Sequence, residues 1–262
     1  MEMKSQNMAQ STHEIFDPFI AERRSLGIEY CPICQDTGVE QYIEDGIKRG
    51  KPCECMREYY NRRRIKISGL EPIVNEKTFD SYTTDESWQS SIKRIAKKFI
   101  YTPNTWFFIG GAVGSGKTHI CTAICGILIK SKQVRYAAWR EHITPIKAAV
   151  LDEDRYRKLI EPLKTADVLY IDDFFKTGGG KITEADINVA FTLLDYRYTH
   201  KLTTIISTEY FMDTLMKIDN AIATRIYEMS SEFCIQICDN DGSKNYRLKI
   251  RNNKLIETKS IN

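Results

Sequence analysis

From Ser87 onward the apolar positions switch repeatedly between two periods. Trp88 to Phe99 spaces its apolar residues as one face of a helix. Trp106-Phe107-Phe108-Ile109 is a short unbroken apolar run, the signature of a buried strand. His119 to Lys130 returns to helical spacing through Ile120, Ala123, Ile124, Ile127 and Leu128. Val134 to Trp139 predicts the next strand, Glu141 to Leu163 a helix, and Val168 to Ile171 a third strand. A helix over Ala185 to Thr199, a strand over Thr203 to Ser207 and a broken helix over Leu215 to Tyr227 follow. Cys234 to Cys238 and Tyr246 to Ile250 close the pattern as strands. Repeated strand–helix units predict the α/β class, with a parallel sheet covered by helices on both faces.

The first third of the chain lacks this rhythm. Residues 1 to 28 form a polar lead-in with one amphipathic helix centred on Phe16 to Arg24. Residues 29 to 56 carry a cysteine module. Met56 to Ile67 is helical and basic, with Arg57, Arg62, Arg63, Arg64 and Lys66; it is either a solvated face or a contact for nucleic acid or a partner. Gly69, Pro72 and several Ser and Thr mark 68–85 as a linker. The expected organisation is therefore 1–67, a linker over 68–85, and a larger domain over 86–262.

The first strand of the larger domain runs directly into Gly111-Ala-Val-Gly-Ser-Gly-Lys-Thr118. This is a complete G-x-x-x-x-G-K-[ST] loop placed between strand and helix. There the glycines let several N–H groups turn toward phosphate oxygens, and the helix N-terminus favours the negative charge. Lys117 is the residue expected to reach the β- and γ-phosphates, and Thr118 offers its hydroxyl to Mg²⁺. The strand Val168 to Ile171 ends in Asp172-Asp173. A buried strand that delivers a carboxylate to its C-terminal end is the partner motif, with the first acid in the metal shell and the second set to orient or deprotonate water. Two adjacent carboxylates repel unless a cation lies close by.

Composition narrows the setting. The chain has 262 residues, 42% hydrophobic, enough for one large core and a small satellite. Its net charge of +3 does not by itself argue for nucleic acid. There is no apolar run of membrane-spanning length, and Met1 to Thr12 has no signal-peptide core, so the expected location is cytoplasmic. In that compartment the eight cysteines are thiols or metal ligands rather than disulfides. Cys121, Cys125, Cys234 and Cys238 read as small buried apolar residues. Cys31-Pro-Ile-Cys34 and Cys53-Glu-Cys55 form two close pairs, which can give four thiolates to one structural Zn²⁺. A redox C-x-x-C pair and unligated thiols are the alternatives.

From about Phe79 to Leu248 the chain resembles the AAA+ ATPases of the DnaC/DnaI-type helicase loaders and the related IstB transposition ATPases. The resemblance rests on Gly111 to Thr118, Asp172-Asp173, Thr203 to Thr208, Ala223-Thr224-Arg225-Ile226 and the lead-in Phe79-Asp80-Ser81-Tyr82. Cys31 to Gly38 is similar to the zinc-binding front end of bacterial and phage loader-like proteins. The resemblance implies an AAA+ P-loop NTPase core without an evident lid, preceded by a small zinc-binding domain, with ATP or ADP, Mg²⁺ and Zn²⁺ as ligands. It implies nucleotide contacts from Gly111, Gly114, Ser115, Gly116, Lys117, Thr118 and His119, and Mg²⁺ held through Thr118 and Asp172. The catalytic set it implies is Lys117, Asp172, Asp173, Thr208 and Arg225. Ser207, Thr208 and Glu209 are the candidates for the polar sensor at the end of the fourth strand, where many relatives carry Asn. Arg225 matches an arginine finger that reaches into a neighbouring subunit, which implies assembly into a ring or spiral. The implied function is ATP-dependent loading of a replicative hexameric helicase onto single-stranded DNA. An IstB-like transposition ATPase and a nucleotide-gated adaptor with negligible turnover are the alternatives. Tyr136, Trp139, Arg140 and His142 are either a DNA-facing segment or core aromatics at a helix start.

Overall fold

In the computed structural model, which describes residues 18–239 and 241–246, the chain divides between Lys66 and Ile67 into two units.

The first unit opens with helix α1 (Pro18–Ser25). Strands β1 (Val39–Glu44) and β2 (Ile47–Pro52) follow as an antiparallel hairpin with Glu44 opposite Ile47. Its turn, Asp45-Gly46, has positive φ at both residues, as a tight hairpin turn needs. Helix α2 (Glu54–Ser68) completes the unit. The basic residues of α2 are largely paired with acids. Arg57 meets Glu54, Arg62 meets Glu58, and Arg63 meets Glu22. Arg62 also donates to the carbonyls of Leu26 and Gly27. This is a solvated, internally compensated face.

The second unit holds a five-stranded parallel sheet in the order β4-β5-β6-β3-β7. Its strands are β3 (Trp106–Gly111), β4 (Val134–Ala138), β5 (Val168–Asp172), β6 (Thr203–Ser207) and β7 (Cys234–Ile237). β3, β5 and β6 are buried along their whole length. Trp106 to Ile109 and Val168 to Ile171 are the continuously apolar runs expected of strands covered on both faces, while β6 also buries Thr203, Thr204 and Ser207. The helices are α3 (Ser87–Phe99), α4 (Lys117–Leu128), α5 (Trp139–Ala148), α6 (Glu153–Thr165), α7 (Glu184–Thr199), α8 (Met212–Ile218) and α9 (Asn220–Ser230). The α/β class and the parallel sheet are as the hydrophobic pattern predicts.

Several details differ from that pattern. The helix expected over Glu141 to Leu163 is two helices. Asp152 interrupts it by capping α6, its carboxylate accepting from the Arg155 amide at 3.1 Å. Trp139 starts α5 instead of ending β4. It is buried against the rings of Phe174 and Phe175 and so faces inward, while Tyr136 is half-buried with its hydroxyl on Asp172. The break expected between Leu215 and Tyr227 falls at Asp219, which caps α9. Cys121 and Cys125 are buried as expected, but Cys234 is only half-buried and Cys238 is exposed. The strand expected over Tyr246 to Ile250 lies, beyond Tyr246, outside the described residues.

Residues 68–85, expected as a linker, run from the end of α2 into turns that bury Leu70, Val74, Phe79 and Tyr82. A fully buried guanidinium, Arg197, ties the far end of the sheet together. It donates to the carbonyls of Leu163, Lys164 and Ala166 at the end of α6 and to that of Thr203 on β6. Helix-terminal carbonyls have no partner of their own, so this cation satisfies them. Burial pushes its pKa down to about 9.

Candidate functional site

β3, β5 and β6 end on the same side of the sheet, and the loops that follow them build a cleft of about 520 Å³. Ligands of open α/β sheets bind at these carboxyl ends. The sharp loop after β3 depends on residues without side chains. At Gly111 (φ 105°) an added Cβ would stand 2.3 Å from the Ile237 carbonyl oxygen. At Gly116 (φ 86°) it would stand 3.2 Å from the Tyr82 ring, and Gly116 is the left-handed residue that opens α4. Gly114, Ser115, Gly116, Lys117, Thr118 and His119 all line the cleft. Gly111 lies at the end of β3 beneath them.

Lys117 is buried, and its ammonium donates to the carbonyls of Gly111 (2.8 Å) and Ala112 (2.6 Å). Burial lowers its pKa, against the opposing pull of Glu209 and Asp173. His119 bonds the Thr78 carbonyl at 2.9 Å and Ser81 Oγ at 3.2 Å. The 68–85 segment is thereby tied to the phosphate loop, and it contributes Glu76, Lys77, Tyr82 and Thr83 to the cleft wall.

Asp172 is the hub of the acidic side. Thr118 Oγ1 donates to its Oδ1 at 3.1 Å and Tyr170 OH at 2.7 Å, and the Ser207 hydroxyl donates to the same oxygen. Tyr136 OH donates to Oδ2 at 3.2 Å. Burial holds both phenols well above their ordinary pKa, so they remain donors. The two tyrosines are register partners on β4 and β5, and Tyr170 lies two residues before Asp172 on the same strand face. That spacing is the signal by which sequence reasoning could have found them.

Asp173 lines the cleft beside Asp172, and its amide donates to Ser207 Oγ at 3.2 Å. Of the three sensor candidates, Ser207 bridges the two aspartates. Thr208 is buried with its hydroxyl on the Phe174 carbonyl at 2.8 Å, and Glu209 is the one that lines the cleft. Arg225 does not line it. Its guanidinium pairs with Asp195 at 2.8 Å and packs over the rings of Phe191 and Tyr198.

In the first unit, Cys31, Cys34, Cys53 and Cys55 bring their sulfurs within 4.8 Å of one another. Cys31 and Cys53 are 3.7 Å apart, and Cys34 and Cys55 3.5 Å. Four thiolates about 2.3 Å from a tetrahedral ion stand about 3.8 Å apart, so the donor set fits Zn²⁺. The Cys34 backbone amide helps pull the Cys31 thiol down to about 7, whereas burial pushes the Cys55 thiol up to about 12. Around the cluster, Asp36 accepts from the Cys31 amide at 2.9 Å and pairs with buried Arg23, whose other nitrogen donates to Cys55 Sγ at 3.4 Å. Such outer contacts orient ligands.

Comparisons with known proteins place this geometry. The chain is similar to Phage-like element PBSX protein XkdC of Bacillus subtilis, 29% identical over 235 residues that span 84% of this chain and 86% of that protein. It is 26% identical to the Replicative helicase loader DnaC of Escherichia coli over 166 residues, 60% of this chain and 65% of that protein's length. The crystal structure of the DnaC helicase loader superposes with a TM-score of 0.53 at 20% identity, over 63% of this chain and 98% of that one. AMPPCP-bound DnaA from Aquifex aeolicus gives 0.52 at 22% identity, over 71% of this chain and 56% of that one. The second unit therefore has the AAA+ core fold. Among the described residues no helix is long and apolar enough to cross a membrane. The profile described as IstB-like ATP binding protein matches residues 35–253, which include the latter part of the first unit and most of the second, and the chain belongs to that family.

Proposed function

We propose that this protein is an ATPase that loads a replicative hexameric DNA helicase onto single-stranded DNA. The observation that carries the reading is the 3.1 Å bond to buried Asp172 from Thr118, which lines a cleft together with Lys117, Asp173 and Glu209. The similarity to a protein named as a replicative helicase loader supplies the direction of the work.

In this reading the loop amides of Gly114 to Thr118 bind the phosphates. Lys117 leaves the Gly111 and Ala112 carbonyls for the β- and γ-phosphates. Thr118 Oγ1 and Asp172 would hold Mg²⁺, whose charge would offset that of the phosphates. Tyr136, Tyr170 and Ser207 keep the Asp172 carboxylate aimed. Asp173 orients the attacking water. Arg225 acts in the cleft of a neighbouring copy within a ring or spiral, after release from Asp195, since a guanidinium grips phosphate oxygens in a fork. The first unit, stapled by zinc, docks on the helicase. The family profile also favours a second reading, an IstB-like ATPase directed at a transposase and duplex DNA.

The test measures steady-state ATP hydrolysis by the full chain with and without single-stranded DNA, and transfer of a purified hexameric replicative helicase onto circular single-stranded DNA. The loader reading expects Asp173-dependent hydrolysis stimulated by single strands and ATP-dependent helicase transfer. Stimulation by duplex DNA with no helicase transfer would select the second reading. ATP binding with no turnover under any condition would leave a nucleotide-gated adaptor.

A further inference from the structure

Immediately beyond β5 the backbone is strained. Asp173 and Phe175 both adopt left-handed conformations (φ 53° and 61°). Residues with side chains enter that region rarely, and a bulky aromatic least readily. Strain of this kind persists only where its surroundings enforce it, and it concentrates at functional sites. Here the enforcement is visible. Phe174 and Phe175 are buried and stacked at 4.1 Å between centroids, and they pack edge-on against Trp139 at 4.8 and 5.2 Å. The Phe174 amide donates to the Ser207 carbonyl, and the Lys176 amide returns to the Asp173 carbonyl, both at 2.8 Å. The anchored turn folds the chain back over the cleft. It sets the Lys176 ammonium 3.0 Å from Asp173 Oδ2 and 2.8 Å from Glu209 Oε1.

Of the lysines that line the cleft, Lys117 and Lys176 each rest on acceptors of the protein itself. Lys176 supplies the cation that the adjacent carboxylates call for. It also occupies one oxygen of Asp173, the group that must orient water. The side chains of Lys176, Asp173 and Glu209 are 45%, 41% and 35% exposed, and ion pairs that open to solvent are held weakly. A polyphosphate in the same cleft offers denser negative charge and charge-assisted hydrogen bonds. We infer that Lys176 is a ligand of the terminal phosphate of a nucleoside triphosphate, exchanging Asp173 and Glu209 for it and so freeing Asp173 only when a triphosphate is bound. Glu209 is the resting partner that keeps the ammonium over the cleft. A diphosphate lacks the outermost group, so the exchange discriminates triphosphate from diphosphate. The inference rests on the reading of this cleft as an ATP site.

The experiment compares equilibrium binding of a non-hydrolysable ATP analogue and of ADP, both with Mg²⁺, to full-length wild type, Lys176→Met, Lys176→Arg and Glu209→Gln. Lys176→Met is expected to weaken the analogue about tenfold, or about 1.4 kcal/mol, while ADP affinity changes by less than about twofold. Lys176→Arg restores most of the difference, and Glu209→Gln tightens the analogue by removing the competing partner. Unchanged affinities in Lys176→Met would reduce the trio to a solvated ion pair and overturn the inference. Equal weakening of both nucleotides would overturn it too, because the role would then lie with phosphates common to both. Wild type that binds neither nucleotide would defeat the ATP reading itself, and the inference with it. That result differs from wild-type binding with an unselective Lys176→Met.

Discussion

The two units solve the folding problem by different means. In the second, three strands are wholly buried and rings such as Trp106, Phe107 and Phe108 have no exposed surface. Its stability comes from apolar area removed from water, spread over many residues. In the first, β2 is exposed along its whole length and β1 nearly so. Few apolar side chains are buried there beyond Ile28, Tyr59 and the cysteines themselves. What holds that unit is concentrated in four sulfurs and the buried Arg23–Asp36 pair. A diffuse apolar core tolerates the loss of one contact. A concentrated polar staple does not, because removing one ligand leaves the others buried without their partner.

The largest expected effect exploits that difference. Purified without chelator, the protein should carry one Zn²⁺ per chain. Cys31→Ser, or stripping the metal, should unfold residues 18–66, since metal binding supplies about 10–16 kcal/mol to small zinc-stabilised folds. Amide hydrogen exchange should show the loss in the first unit, with nucleotide binding by the second retained. Protection of the hairpin in metal-free protein would mean that the staple is dispensable.

A smaller effect, on rate, tests whether the second unit is sufficient by itself. Arg225→Ala should leave nucleotide affinity nearly unchanged and lower hydrolysis by a factor on the order of 10³, as for other arginine-finger NTPases. Mixing it with Lys117→Ala should restore part of the activity, one chain giving the phosphate loop and the other the guanidinium. If co-assembled mixtures stay inactive, each cleft is completed within its own chain.

The smallest effects sharpen the contrast between diffuse and surface contacts. Ile205→Val, at a fully buried position of β6, should destabilise the second unit by about 0.5–1.5 kcal/mol in urea unfolding. Glu44→Gln breaks the exposed pair with Arg49 on the hairpin and should shift the first unit by no more than about 1 kcal/mol. A larger loss from Glu44→Gln would show that the hairpin carries stability of its own.

The phosphate loop, Asp172-Asp173 and the cysteine quartet were legible because each is local. A loop's chemistry is written in consecutive residues, and close cysteine pairs announce shared ligation. The cleft's other walls were not legible in this way. Lys176 and Glu209 are separated by 33 positions in sequence and meet only because β5 and β6 are neighbours in the sheet. Tyr82 and Thr83 lie in a stretch whose Gly, Pro and Ser content reads as linker, yet His119 pins that stretch to the phosphate loop. Trp139 was ambiguous because a buried aromatic and a stacking surface look alike in sequence. Only Phe174 and Phe175, 35 and 36 residues away, decide that it faces inward.

The sequence alone determined the α/β alternation, the parallel sheet, the phosphate-binding loop with its acidic partner, and a four-thiol module set apart from the core. All of these rest on periodicity or short-range spacing, which the chain carries wherever it folds. The tertiary structure decided which acid becomes the hub of hydroxyl donors, that Thr208 spends its hydroxyl on a backbone carbonyl while Glu209 enters the cleft, and that Arg225 packs away from it. It also decided that a second lysine stands over the acids. These are outcomes of strand order and of a turn strained into place by two buried phenylalanines, and such long-range placement follows from packing rather than from any local run of residues.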